Sequence, residues 1–207
     1  PRYLGRYAHG LFFTLLARLD PDLAAKLHGA PRKPFTLAPL PEQSGALFLR
    51  FTTLDDALFS AFLEALLAAA PKGLDLGEDR FQLKRVLATP EGHPLAGTAT
   101  WAELRQAPAR REAHLLFLTP TGFPTSKSGG RIRYTPLPDP RLILSSLLDK
   151  WQAHSPHPYT PREEAALREL FDLDAELGGF HHLFFHRVQA GKGFFPGFTG
   201  KVHLRLW

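Results

Sequence analysis

The segment LHGAPRKPFTLAPL, residues 27–40, sets one histidine, His28, just ahead of two cations, Arg32 and Lys33. An imidazole changes protonation near about pH 6.5, so it can give or take a proton under ordinary conditions. Beside fixed positive charge it suits an anionic ligand. Without a ligand the same three residues make an ordinary solvated turn. His9 is the next imidazole upstream, and Phe13 follows it by one helical turn. A second basic group, Lys127, Arg131 and Arg133, brackets the glycine pair of FPTSKSGGRIRYTPLP. Such residues hold phosphates and position a nucleic acid without reading its bases; the alternative is a charged, exposed hairpin.

Other candidates carry less. His181, His182 and His186 fall in HHLFFH, and two histidines four apart on a helix can share a metal ion. Gly178, Gly179 and the aromatic content predict a strand there instead, so no metal site and no cofactor are expected. Phe194, Phe195 and Phe198 could stack on bases, but core packing is the expectation adopted for them. No phosphate-binding glycine loop, Ser-His-Asp set or zinc motif is present.

The composition bounds what these residues can serve. Of 207 residues, 44% are hydrophobic and 12% aromatic, enough for one or two packed domains and too many for a disordered chain. No apolar run reaches the roughly 20 residues of a membrane span. No leader is visible, so a cytoplasmic protein with no membrane partner is expected. Cysteine is absent, which excludes disulfides and thiolate metal sites. A net charge of +5 and a pI of 9.7 admit a polyanionic partner. Methionine is absent too, position 1 included, and the chain is read as starting after its natural beginning. The lack of both sulfur residues, with 19 prolines, resembles a thermophile's composition.

Several elements must hold the candidate residues. Leu11, Phe12, Leu15, Leu16 and Leu19 form the apolar stripe of a helix over residues 7–19. His9, Phe13 and Arg18 fall off that stripe. Asp20 and Pro21 predict the cap and first position of a second helix, stopped by Gly29 as a left-handed C-terminal residue, with His28 in its last turn. An extended segment, a strand from Gly45 and a helix over Asp55–Ala70 follow, then a strand over residues 79–89. Lys84 and Arg85 would point to opposite faces of that last strand. Residues 90–110 read as loop. The second half reads as a strand from Ala113, a hairpin, a helix opened by Asp139 and Pro140, a helix capped by Thr160 and Glu163, and two final strands. Arg131 and Arg133 share one face of the hairpin by alternation. The expected domains are 1–95 and 110–207, each mixing helices and strands.

The order of these motifs resembles the CRISPR repeat-RNA processing endoribonucleases of the repeat-associated mysterious protein (RAMP) superfamily. Four stretches carry the resemblance: YAHGLFFTLLARLDPDLAAKLHG, RKPFTLAPL, RYTPLPDPRLILSSLLDKW and GFTGKVHLRLW, the last similar to the family's late Gly-Phe-x-Gly strand. It implies an α+β fold of two tandem ferredoxin-like domains, related to the RNA-recognition motif, with antiparallel sheets. Against that pattern the first strand of the N-terminal domain, and the C-terminal helix and glycine-rich loop, are missing from the sequence. The resemblance implies cleavage of precursor repeat RNA without metal, by attack of the 2′-OH to give a 2′,3′-cyclic phosphate. His28 matches the family's catalytic histidine by position. Phe13 stands where some members carry a tyrosine, so His9 is the candidate for the missing acid, base or phosphate contact. Lys33 is the candidate for stabilising the phosphorane, and Arg32 for an RNA contact beside it. Precursor and mature guide RNA are the implied partners, with a second copy or a CRISPR effector complex as protein partner. A non-cleaving RNA-binding subunit is the alternative reading.

Overall fold

A computed structural model describes residues 4–42, 45–128, 131–190 and 193–207, and leaves the side chains of residues 126–128, 131 and 190 outside the description. The chain divides into two compact units, Pro1–Arg105 and Gln106–Trp207.

In the first unit, helix α1 (Gly5–Leu19) turns Ala8, Phe12, Leu15 and Leu16 inward, none more than 3% exposed. That spacing is one helical stripe, and full burial of a side chain such as Phe12 stabilises by about 2–3 kcal/mol. Asp20 ends α1 and caps α2 (Pro21–Gly29), its Oδ1 accepting from the Leu23 N–H at 2.9 Å. Pro21 sits in the first turn, where no backbone donor is needed. The two helices therefore change direction sharply at one residue.

Gly29 departs from its expected role. It is the last residue of α2, has no positive φ, and leads directly into extended Ala30. No left-handed C-terminal turn forms, so the final carbonyls of α2 take donors from elsewhere.

Strands β1 (Phe35–Pro41) and β2 (Leu47–Thr53) pair antiparallel, from Phe35 opposite Thr53 to Pro41 opposite Leu47. Helix α3 (Asp56–Ala69) is capped by Asp55, which accepts from the Leu58 N–H at 3.1 Å. The core forms where these meet: Phe12 stacks on Phe35 at 4.3 Å and touches Phe62 at 4.8 Å.

The strand expected over 79–89 is shorter. Only Asp79–Phe81 (β4) pairs, against Leu74–Leu76 (β3), which the periodicity did not show. Phe81 to Lys84 alternate in polarity, but among the described residues no strand runs beside residues 82–89, and a strand without a neighbour has no ladder. Within the expected loop, Trp101–Gln106 forms a short helix, α4, whose leading Thr100 exchanges hydrogen bonds with Glu103.

In the second unit β5 (Glu112–Thr121), β9 (Gly193–Leu206) and β8 (Ala175–Ala190) form an antiparallel sheet with β9 central. Helix α5 (Pro140–His154) packs Ile143 against Phe198, Val202 and Leu204 of β9. Helix α6 (Pro161–Asp174) opens with the full capping box of Thr160 and Glu163. The remaining strands, β6 (Phe123–Ser128) and β7 (Arg131–Thr135), form the expected hairpin; its Gly129 and Gly130 lie outside the described residues.

Both neighbours of β9 are irregular, β5 between Phe117 and Thr121 and β8 between His181 and Phe184. At the second bulge His182 adopts φ 51°. Gly200 faces it with φ 139°, and a Cβ there would lie 2.5 Å from the His182 carbonyl oxygen. The Gly-Phe-Thr-Gly run is thus a packing device, since only glycine admits the bulged backbone at that point. No helix among the described residues is long and apolar enough to cross a membrane.

Candidate active site

Helix α1 carries His9 and Phe13 one turn apart, so their rings meet, with centroids 4.7 Å apart. The reversal at Asp20 brings the end of α2 back alongside, and Phe13 meets His28 at 5.3 Å. The two imidazoles lie 6.4 Å apart, edge to face. Phe13 is also held from below: it abuts Phe12 at 5.1 Å and Phe35 at 6.1 Å. Both histidines are open to solvent on their outer side. The result is an apolar floor with two imidazoles at its rim, their ring centroids 6.4 Å apart.

Burial against the neighbouring rings pushes the His9 imidazole below its usual range, and the charges of His28 and Lys33 push it in the same direction. A depressed histidine is neutral at pH 7 and can accept a proton.

Lys33 lies in the turn after α2 but does not point at open solvent. Its Nζ donates to the carbonyls of Leu27 at 2.6 Å, His28 at 2.7 Å and Ala30 at 2.8 Å. With no left-handed glycine turn to supply donors, the end of α2 takes them from this lysine side chain instead. Arg32 is exposed next to it. Sequence reasoning placed Lys33 beside the site and missed these bonds; the readable signal is a lysine shortly after a helix end that lacks a left-handed residue.

The second basic group lies in the other unit. Arg133 is exposed on β7, opposite Ser126. Arg131 stands two residues earlier on the same strand, opposite Ser128, whereas Lys127 pairs with Ile132. The register therefore groups Arg131 with Arg133 and sets Lys127 at a position of the opposite face. The side chains of Lys127 and Arg131 lie outside the described residues. His181 pairs with Lys201 in the strand, and His186 shares a hydrogen bond of 2.8 Å with Thr199. Of the three phenylalanines, Phe198 is fully buried, while Phe194 is 54% exposed under Arg187. A pair that was not singled out, His114 and His203, stacks across β5 and β9 at 4.4 Å.

Residues 115–207 match the family model of the CRISPR-associated endoribonuclease Cas6. A CRISPR-associated endoribonuclease Cas6 of Mycobacterium tuberculosis (strain CDC 1551 / Oshkosh) is 28% identical over 96% of this chain. The chain spans 59% of that relative's length. Among solved structures, a Cas6 product complex is 68% identical, covers all of this chain and 81% of its own, and superposes with a TM-score of 0.92. A Thermus thermophilus Cas6 structure is 65% identical over all of this chain and 78% of its own, with a TM-score of 0.77. The shared architecture is the tandem ferredoxin-like α+β fold, and the Thermus neighbour accords with the thermophilic composition.

Proposed function

Since the chain belongs to the CRISPR-associated endoribonuclease Cas6 family, we propose that it cuts precursor CRISPR repeat RNA into guide units by a metal-independent transesterification. The observation that carries the mechanism is the pair of imidazoles, His9 and His28, 6.4 Å apart over Phe13. One scissile phosphodiester needs a base for the 2′-OH and an acid for the departing 5′-oxygen, and the pair supplies both.

His9, neutral because of its setting, takes the 2′-OH proton as the 2′-oxygen bonds to phosphorus. The bond from phosphorus to the 5′-oxygen breaks, and His28 protonates that oxygen. The products are a 2′,3′-cyclic phosphate and a 5′-OH. Lys33 adds positive charge to the same turn, where negative charge builds on the phosphorane. Arg32 contacts RNA beside the cut, and Lys127, Arg131 and Arg133 hold phosphates of the repeat. On this reading the protein works in the cytoplasm, holds its guide RNA after the cut, and has a second copy of itself or a CRISPR effector complex as its protein partner.

The test is incubation with repeat RNA in excess chelator. Cleavage should persist and leave a 2′,3′-cyclic phosphate. An RNA with one 2′-deoxy sugar just upstream of the cut should bind and stay intact; its cleavage would rule out the internal nucleophile. Binding without any cleavage of the normal repeat would favour a non-cleaving RNA-binding subunit of the same superfamily.

A further inference from the structure

We propose that Lys33 serves the reaction as a positioning residue, its ammonium clamping the last carbonyls of α2 and so fixing His28 relative to His9. The proposal rests on the ribonuclease reading above and assigns Lys33 a route of action that does not require it to touch RNA.

Three observations carry it. First, a lysine ammonium has three donors, and Nζ has a carbonyl within 2.8 Å for each: Leu27, His28 and Ala30. A phosphate contact would have to release at least one of them. Second, α2 lacks its own closing device. Gly29 stays right-handed, and the Ala30 N–H returns only to the carbonyls of Lys26 and Leu27. Helix ends of this kind fray in their last turn, and His28 sits in that turn.

Third, the strap is anchored. Lys33 is followed by Pro34 and Phe35, both buried, and Phe35 stacks on Phe12. One end of Lys33 is thus tied to the core by its backbone, and the other reaches back across the turn to the carbonyl of His28 itself. The imidazole projects from backbone that the ammonium holds. The charged groups that face His9 are His28 from α2 and Lys33 from this turn, so removing the lysine also relieves one of the two charges on the second imidazole.

The experiment compares Lys33→Met, which keeps length but donates nothing, with Lys33→Arg, which keeps charge and donors, in the full-length protein. Single-turnover cleavage, RNA affinity across a salt series and the imidazole NMR signals of the RNA-free protein are measured. The RNA is the repeat sequence of the host's own array. Lys33→Met should cut about tenfold to a hundredfold more slowly, the scale of a small misplacement of a reacting group. Its RNA affinity and salt slope should stay at wild-type values. The His28 signals should shift or broaden, and the acid limb of the pH–rate profile should move to higher pH. Lys33→Arg should recover most of the rate. Loss of about one contact from the salt slope, with the His28 signals unchanged, would overturn the proposal in favour of a direct phosphate contact. An unaltered rate with unaltered His28 signals would also overturn it. Should Lys33→Met fail to fold, Lys33→Gln, which keeps two donors without charge, carries the same comparison. If wild-type protein cuts no repeat RNA, the ribonuclease reading fails by itself, and the imidazole signals still decide whether Lys33 fixes His28.

Discussion

The rings of His9 and His28 stand 6.4 Å apart, edge to face, with Phe13 touching both. They belong to different helices, and their separation is set by the reversal at Asp20 rather than by any local spacing rule.

If the two act in one step, their losses should not multiply. His28→Ala is expected to slow single-turnover cleavage by at least about a hundredfold, the low end for a general acid or base. RNA affinity should change little, because phosphate contacts dominate such interfaces. His9→Ala should also slow cleavage, since Phe13 has no proton to offer in its place. The double variant should be barely slower than the poorer single variant. Wild-type rate in His28→Ala would remove the centre of the proposed mechanism.

The setting of His9 gives a pH signature. Burial first, then the charges of His28 and Lys33, depress its proton affinity in the folded protein. As the base it must be neutral, so the rate should rise with pH along a limb lying below about pH 6.5, the ordinary histidine value. Stability follows the same sign. The unfolded chain binds the proton more readily, so the folded state has this contribution in full above about pH 6.5 and loses it as pH falls through the folded value. Urea midpoints measured across pH 5–8 should fall on the acid side, and less steeply in His9→Gln.

Arg133 should behave as a phosphate contact. Replacing it with alanine is expected to weaken different RNAs about equally and to lower the salt slope by about one. A change in sequence preference with the slope unchanged would contradict that role.

Gly200→Ala tests the central strand. The added Cβ would meet the His182 carbonyl oxygen at 2.5 Å and the Leu183 Cα at 3.0 Å, from a backbone angle that L-residues rarely adopt. Destabilisation of about 2–4 kcal/mol is expected, as for other forced backbone clashes. Denaturant unfolding measures it, and a wild-type midpoint would show that the bulge at His182 relaxes freely.

What the sequence disclosed follows from the range of each interaction. Caps are local, so Asp20, Asp139 and the Thr160–Glu163 box could be read directly, and with them the starts of three helices. Histidine chemistry could be read as residue type and position. The distance between His9 and His28 could not, because it depends on how two helices pack. The strand expected through residue 89 misled for a related reason: the short alternation of Phe81 to Lys84 reports a face, whereas a strand also needs a partner's backbone. Gly29 misled because a lysine side chain four residues later supplies the donors that a left-handed glycine usually arranges.

The aromatic floor has a thermal consequence. Phe13 is not a flap laid over the imidazoles; it abuts Phe12, which is fully buried, and Phe35, which Phe12 stacks upon. Whatever loosens Phe13 must first loosen the interior of its unit, and an interior packed like a crystal gives way all at once. On heating, the rate should therefore climb steadily and then vanish over the few degrees in which that unit melts, with no slackened, half-active form on the way.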